Sequence, residues 1–221
     1  MQIRTYIGIA SLAFLVLGPA LAHFRIVPPM VGLSLFMLAA LLGLVTSCWG
    51  IISAMKQGSL ATYLPSVMGL PAIALVMVGA LSARGHPRIN DISTDLTEPP
   101  KLSRAEAYPE SFKKIVAKHY ADLKPLNLTE APAAAFDRAV TLAKSRADWS
   151  VDRVDKEALV FEGKAETKLF RFVDDFVVRV RKSKDGSGAV VDMRSRSRDG
   201  KGDLGKNAAR IRGFLADLKG K

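Results

Sequence analysis

The sequence predicts an α+β domain with an antiparallel sheet and about three helices, carried behind N-terminal transmembrane helices. Three observations predict it. Residues 1–83 contain Arg4, Arg25 and Lys56 but no Asp or Glu, so all 21 acidic residues lie in 84–221. From Trp149 to Arg198 the apolar residues recur with period two, as in strands. On either side they recur at helical spacing, and helices segregated from a run of strands read as α+β. The chain therefore divides into a membrane block, 1–83, and a soluble domain, 84–221.

In the membrane block, three uncharged runs are separated by single basic residues: Thr5–Phe24, Ile26–Met55 and Gln57–Ala83. About 20 apolar residues cross a bilayer as a helix, so each run is long enough. The second helix is expected to enter after Pro28-Pro29, and Pro65 to lie near the start of the third. Pro71 is expected to kink that helix. Gly32, Gly43, Gly50, Gly69 and Gly79 suit close helix packing. The first run has a second reading as a cleaved signal peptide: Arg4, an apolar stretch Ile7–Leu17, then Ala20-Leu21-Ala22 as an A-x-A site. Both readings put the soluble domain outside and Lys56 on the cytoplasmic side. Arg84 and Arg88 favour the inside, but large domains translocate largely regardless of charge. The block has no acidic residue and no mid-helix Arg to mark an ion path. The single cysteine, Cys48, excludes an intramolecular disulfide and is expected to pack between membrane helices. Val45-Thr46-Ser47-Cys48 resembles a lipid-attachment box only loosely and lies too deep.

The soluble domain opens with Arg88–Lys101, a segment without periodicity whose Asn, Asp, Ser, Thr and paired prolines suggest extended chain laid on the domain surface. A helix is predicted over Glu110–Leu123, with Phe112, Ile115, Val116 and His119 inward. A second is predicted over Glu130–Arg146, capped by Thr129, with Phe136, Ala139, Val140 and Ala143 as its buried face. Strands are predicted at Trp149–Val154, Ala158–Ala165, Phe176–Arg181 and Ala189–Arg198, with Lys168–Phe172 extending the second or forming a turn. Asp174-Asp175 is read as a turn. Asp185-Gly186 is a tight-turn signal, and a turn there makes paired residues sum to 371. Arg179 then faces Asp192, and Val177 faces Arg194. In that last strand Asp192, Arg194, Arg196 and Arg198 share one face, while Val191, Met193, Ser195 and Ser197 share the other. The final helix is predicted to start at Asp203, with Leu204, Ala208, Ile211, Leu215 and Leu218 as its apolar stripe and Asn207 and Arg210 flanking it.

Three passages resemble one family: Arg88-Ile89-Asn90-Asp91-Ile92-Ser93-Thr94, Phe172-Val173-Asp174-Asp175, and Arg194-Ser195-Arg196-Ser197-Arg198 running into Gly202-Asp203-Leu204-Gly205-Lys206-Asn207-Ala208-Ala209-Arg210-Ile211. Together they are similar to the bacterial and plastid domain of unknown function 1499, over residues 86–218. Where that family usually has an aromatic or basic residue before Asp-Leu-Gly, this chain has the more flexible Gly200-Lys201-Gly202. The resemblance implies an exported domain and no agreed reaction. With the charge pattern, it leads to an expected place in a bacterial inner membrane, multi-pass, with the domain facing the periplasm.

The chain has no P-loop, H-E-x-x-H, G-x-S-x-G or paired-cysteine motif, and its three histidines are not spaced as metal ligands. No cofactor and no metal are expected, and catalytic residues are unknown. The candidate site is a polar cluster of Asp91, Asp95, Arg194, Arg196, Arg198, Asp203, Asn207 and Arg210, expected to bring the arginine strand, the helix start and the leader together. One reading is a structural network. The other is an anion site, since three guanidinium groups on one strand face repel unless acids or a ligand lie between them. The expected role is a membrane-anchored binding or scaffolding module. Its partner would be the membrane, an anionic lipid headgroup or another envelope anion, and not nucleic acid. The alternative is an envelope enzyme whose carboxylates, Asp91 and Asp203 among them, are gathered by folding.

Overall fold

The computed structural model describes residues 2–57 and 67–220. The chain forms two compact units, Met1–Arg84 with Lys168–Arg171, and Gly85–Thr167 with Phe172–Lys221.

In the first unit, helix α1 spans Gln2–His23 and α2 spans Pro29–Gln57. Each contains a stretch long and apolar enough to cross a membrane, Ile3–His23 and Pro29–Ser53. Helix α3, Leu70–Ser82, has 13 residues, about 20 Å of the roughly 30 Å a bilayer core requires. Pro65 lies outside the described residues. Pro71 does not kink a continuous helix. It sits in the first turn of α3, where its missing N–H leaves no bond unmade. Glycines let the helices meet. A Cβ on Gly18 would lie 2.6 Å from the Gly32 carbonyl oxygen, and one on Gly43 would lie 2.6 Å from that of Gly69. The Ser11 hydroxyl donates to the Ala39 carbonyl between α1 and α2, at 2.7 Å. Among the described residues, nothing lies within 4 Å of where a Cβ on Gly79 would stand. Cys48 lies on an exposed face of α2 instead of between helices.

The second unit is α+β. Its strands are β1 (Asp91–Ser93), β2 (Leu126–Leu128), β3 (Trp149–Asp155), β4 (Val160–Glu166), β5 (Val173–Lys182) and β6 (Ala189–Ser197). Its helices are α4 (Glu110–His119), α5 (Pro132–Lys144) and α6 (Lys206–Gly220). All pairings are antiparallel, in the order β1-β6-β5-β4-β3, and β2 shares with β1 the outer edge of β6. Strand β1 pairs with Arg194–Arg196 and β2 with Ala189–Val191, so the arginine motif lies inside the sheet. One face of the sheet carries Phe161, Phe176, Val178, Val180, Val191 and Met193 into the core, against Phe136 of α5 and Ile211 and Phe214 of α6. Trp149 joins the two layers, 4.4 Å from the Phe176 ring and 5.3 Å from that of Phe214.

The β5–β6 register is the one expected: Arg179 pairs with Asp192 and Val177 with Arg194. The loop between the strands spans Ser183–Gly188. Gly186 takes φ +78° and the Ser183 hydroxyl accepts the Gly188 N–H at 2.9 Å.

Several elements differ from expectation. Arg88–Lys101 is laid on the surface only in its second half: β1 lies in the first half, with Ile89, Asp91, Ile92, Ser93 and Thr94 all buried. Helix α5 starts at Pro132, not Glu130, because a residue before proline is driven extended; Ala131, not Thr129, holds the cap position at ψ 146°. Helix α4 ends at His119, which is exposed, and Tyr120 is buried in its place. Strand β4 starts at Val160 because Leu159 adopts φ +51°. Of the two expectations for Lys168–Phe172 the turn holds, at Lys168, Leu169 and Phe170, bracketed by the Thr167 N–H donating to the Phe172 carbonyl at 2.8 Å. Asp174 and Asp175 belong to β5 and form no turn, since each has an arginine to meet across the sheet or helix. Helix α6 starts at Lys206, three residues after Asp203. Leu204 and Gly205 adopt φ +54° and +77°, which no helix contains, and Leu204 is exposed instead of packed. Phe214, omitted from the expected stripe, is fully buried.

Candidate functional site

Alternation along β6 sends Arg194 and Arg196 to the face opposite the helices, and Ser195 and Ser197 to the helix face. The expected single polar cluster is thereby divided by the sheet into two.

On the outer face, Arg194 grips Asp91 at two points. Its Nε donates to Oδ1 at 2.9 Å and its Nη2 to Oδ2 at 2.7 Å. Both side chains are 2 % exposed. Two further guanidinium hydrogens reach the carbonyl oxygens of Pro100 and Glu106, each at 3.2 Å, and the Tyr108 ring lies 5.2 Å from the guanidinium carbon. The segment 94–108 is thus strapped over this face. Burial, and then the Asp91 charge, push the Tyr108 hydroxyl well above its ordinary pKa. It stays protonated and donates to the Asp91 carbonyl at 3.3 Å. Buried and so engaged, Arg194 presents no surface to a ligand.

One register step along, Arg179 and Arg181 share Asp192 and Asp95. Arg179 donates to Asp192 Oδ2 at 3.1 and 3.2 Å and to Asp95 Oδ2 at 3.2 Å; Arg181 donates to the same oxygens at 2.9 Å each. Asp95 Oδ1 accepts the Thr97 and Glu98 N–H groups, which folds the start of the strap. Asp95 therefore serves Arg179 and Arg181, not the arginines of β6. Asp192 is fully buried, and desolvation raises its pKa despite the two guanidinium groups.

On the helix face, Arg210 donates to Asp174 Oδ2 at 2.5 Å, to the Ser195 hydroxyl at 3.0 Å and to Asn207 Oδ1 at 2.6 Å. The Asn207 amide donates to the Asn90 carbonyl and the Ser197 hydroxyl. Asp203 turns its carboxylate onto α6. Oδ1 accepts the Gly205 N–H at 2.9 Å and Oδ2 the Asn207 N–H at 2.7 Å. It caps the helix from a distance and occupies the N–H groups an anion would need, so the arginines do not meet a ligand at this helix start. Asp91 and Asp203 are on different faces and each is engaged, so they are not a catalytic pair.

Two motif arginines remain. Arg198 donates to both oxygens of Asp175, at 2.9 and 2.6 Å. Arg196 is 35 % exposed, and its ion pair is with Asp91 Oδ2 at 3.9 Å, an oxygen that Arg194 already holds. On the same face of the sheet, residues of β3, β4, β5 and the strap line a cleft of about 190 Å³, Ser103, Arg104, Asp152, Arg153, Glu162 and Asp175 among them; Arg196 does not line it. Sequence reasoning missed these residues, as it missed Tyr108 and Asp174. The one available signal was the charged alternation along β5, which places Asp175, Arg179 and Arg181 on the face of Arg194. Among the described residues, no three of His, Cys, Asp and Glu are grouped to hold a metal ion.

No curated protein matches the chain. The family described as "Protein of unknown function (DUF1499)" matches residues 91–218, from the first residue of β1 to the buried Leu218 of α6. That span holds all six strands and both polar clusters, and the chain belongs to the DUF1499 family.

Proposed function

We propose that the protein is a membrane-anchored binding module of the bacterial inner membrane, multi-pass, with its DUF1499 domain facing the periplasm, and that it binds an anion through Arg196. The observation that carries the reading is the difference among the three motif arginines. Arg194 and Arg198 each grip a carboxylate at two points, whereas Arg196 has a carboxylate oxygen only at 3.9 Å. A partly exposed guanidinium without a close acid suits a phosphate or carboxylate ligand. The helices α1 and α2 support the anchor, and the basic net charge of +11 supports an anionic lipid headgroup or another envelope anion over nucleic acid in an exported domain.

The test is a pair of thermal melts on the full chain in neutral detergent. Phosphate or sulfate should raise the Tm of the parent and leave that of Arg196→Ala unmoved. A parent indifferent to both anions would sink the reading. Placement has its own test: a C-terminal alkaline phosphatase fusion should be active, and a C-terminal green fluorescent protein fusion dark.

The second reading, an envelope enzyme, moves from Asp91 and Asp203 to the cleft, where Asp152, Glu162 and Asp175 are the carboxylates that folding gathers.

A further inference from the structure

We propose that the tip of the β4–β5 hairpin, Lys168–Arg171, is a second membrane contact, seated in the headgroup layer of an acidic bilayer; this rests on the reading of α1 and α2 as membrane helices. The tip belongs to the same compact unit as those helices. It is fastened to the end of α1 at two points. The His23 ring donates from Nδ1 to the Lys168 carbonyl at 2.9 Å, and Arg171 Nε donates to the His23 carbonyl at 3.3 Å. Arg171 takes φ +61°, a backbone region that costs a non-glycine residue energy and persists where surrounding contacts hold it. Between the two tethers, the Phe170 ring packs edge-on against Phe36 of α2, with ring centroids 5.7 Å apart.

Helix length sets the depth. The apolar span of α1, Ile3–His23, has 21 residues, about 31 Å of helix, and just crosses a hydrocarbon core of about 30 Å. His23 then stands at the boundary of the core. The span of α2, Pro29–Ser53, has 25 residues, about 37 Å, and overruns the core. Phe36 lies about 10 Å along α2 from Pro29, which puts its ring, and Phe170 with it, just below the headgroups. Leu169 beside it is 55 % exposed, and Phe24 and Ile26, beyond the end of α1, are 72 % and 68 % exposed. Large apolar side chains so exposed are costly in water and are buried by acyl chains. Charge agrees. Arg25, Lys168 and Arg171 stand here against one acid, Glu166, which precedes the tip. Basic side chains at this level reach outward to lipid phosphates, and apolar residues flanked by basic ones are the composition of an interfacial anchor. A second copy of the chain fits this surface less well, because it would set the same basic residues against each other.

The full chain is placed in vesicles of phosphatidylcholine and phosphatidylglycerol, with an environment-sensitive fluorophore on one cysteine at a time. Native Cys48, exposed within the α2 span, reports the anchor. Leu169→Cys, in a Cys48→Ala background, reports the tip. Lys184→Cys in the same background is the control, an exposed position at the other end of β5, about 30 Å of strand away. The Leu169 label should be blue-shifted and quenched by lipid carrying a nitroxide on its acyl chain, and the Lys184 label should be neither. Nitroxide-labelled phosphatidylglycerol should quench the tip more than labelled phosphatidylcholine. Lys168→Gln should cut that preference about fivefold, the equivalent of about 1 kcal/mol for one basic residue near an acidic surface. It should also fold, since the tether to His23 uses the Lys168 backbone. A Leu169 label in water while Cys48 reports lipid overturns the proposal and leaves the anchor. A blue-shifted Leu169 label that lipid does not quench is packed on protein, a second copy included, and overturns it too. So does equal quenching by the two lipids, or a preference that Lys168→Gln leaves intact. A Cys48 label in water overturns the anchor and the tip together.

Discussion

Arg194 and Asp91 close a two-point ion pair in which neither side chain is more than 2 % exposed. The pair joins β6 to β1, and through the carbonyl oxygens of Pro100 and Glu106 it also ties the strap to the sheet. Removing one partner leaves a buried charge alone. Asp91→Ala is expected to cost roughly 3–5 kcal/mol, whereas Arg196→Ala, at a partly exposed position whose ion pair is 3.9 Å long, should cost under about 1 kcal/mol. Denaturant unfolding of the two variants beside the parent measures the difference. Equal losses would show that Arg194 is not held by Asp91 alone.

Asp203 accepts two backbone N–H groups at the start of α6. Asp203→Ala should destabilise by about 1–2 kcal/mol, and Asp203→Asn by less, because the amide oxygen still accepts one of them. The same unfolding measurement checks the order. If Asp203→Ala were neutral, the cap would contribute nothing and the helix start would be held by Asn207 alone.

Asp192 gives a pH dependence of definite sign. Burial raises its folded pKa above the ordinary carboxylate value, so the folded chain binds this proton more tightly than the unfolded one. Across the window between the unfolded value of about 3.9 and the raised folded value, this group's contribution to stability falls as pH rises and grows as pH falls. Relative to Asp192→Asn, which has no proton to gain, the parent should become more stable on going from pH 7 to pH 4.5. Urea midpoints of both proteins at the two pH values test it. A parent that loses ground to the variant on acidification would show that Arg179 and Arg181 outweigh burial.

How much of this was legible in the sequence depends on how local the cause is. The charge-poor block, the α+β class and the β5–β6 register are written in short-range pattern. Side chains alternate with period two, and a turn centred on Asp185-Gly186 sets every pair between Arg179 and Asp192 to Arg194 and Val177. The faces of β6 follow from the same alternation. Strands β1 and β2 have three residues each, too few for a period to show, and they exist because β6 offers them an unpaired edge.

The partners of the charged groups were decided by tertiary structure. Asp91, Asp95 and Asp203 are all acids near basic residues in the chain, and sequence cannot say which side of a sheet each will reach. Folding put Asp91 under Arg194, gave Asp95 to Arg179 and Arg181, and turned Asp203 onto the N–H groups of α6. The physical reason is that an ion pair depends on distance in space across a layer one side chain thick, while hydrophobic periodicity depends only on distance along the chain.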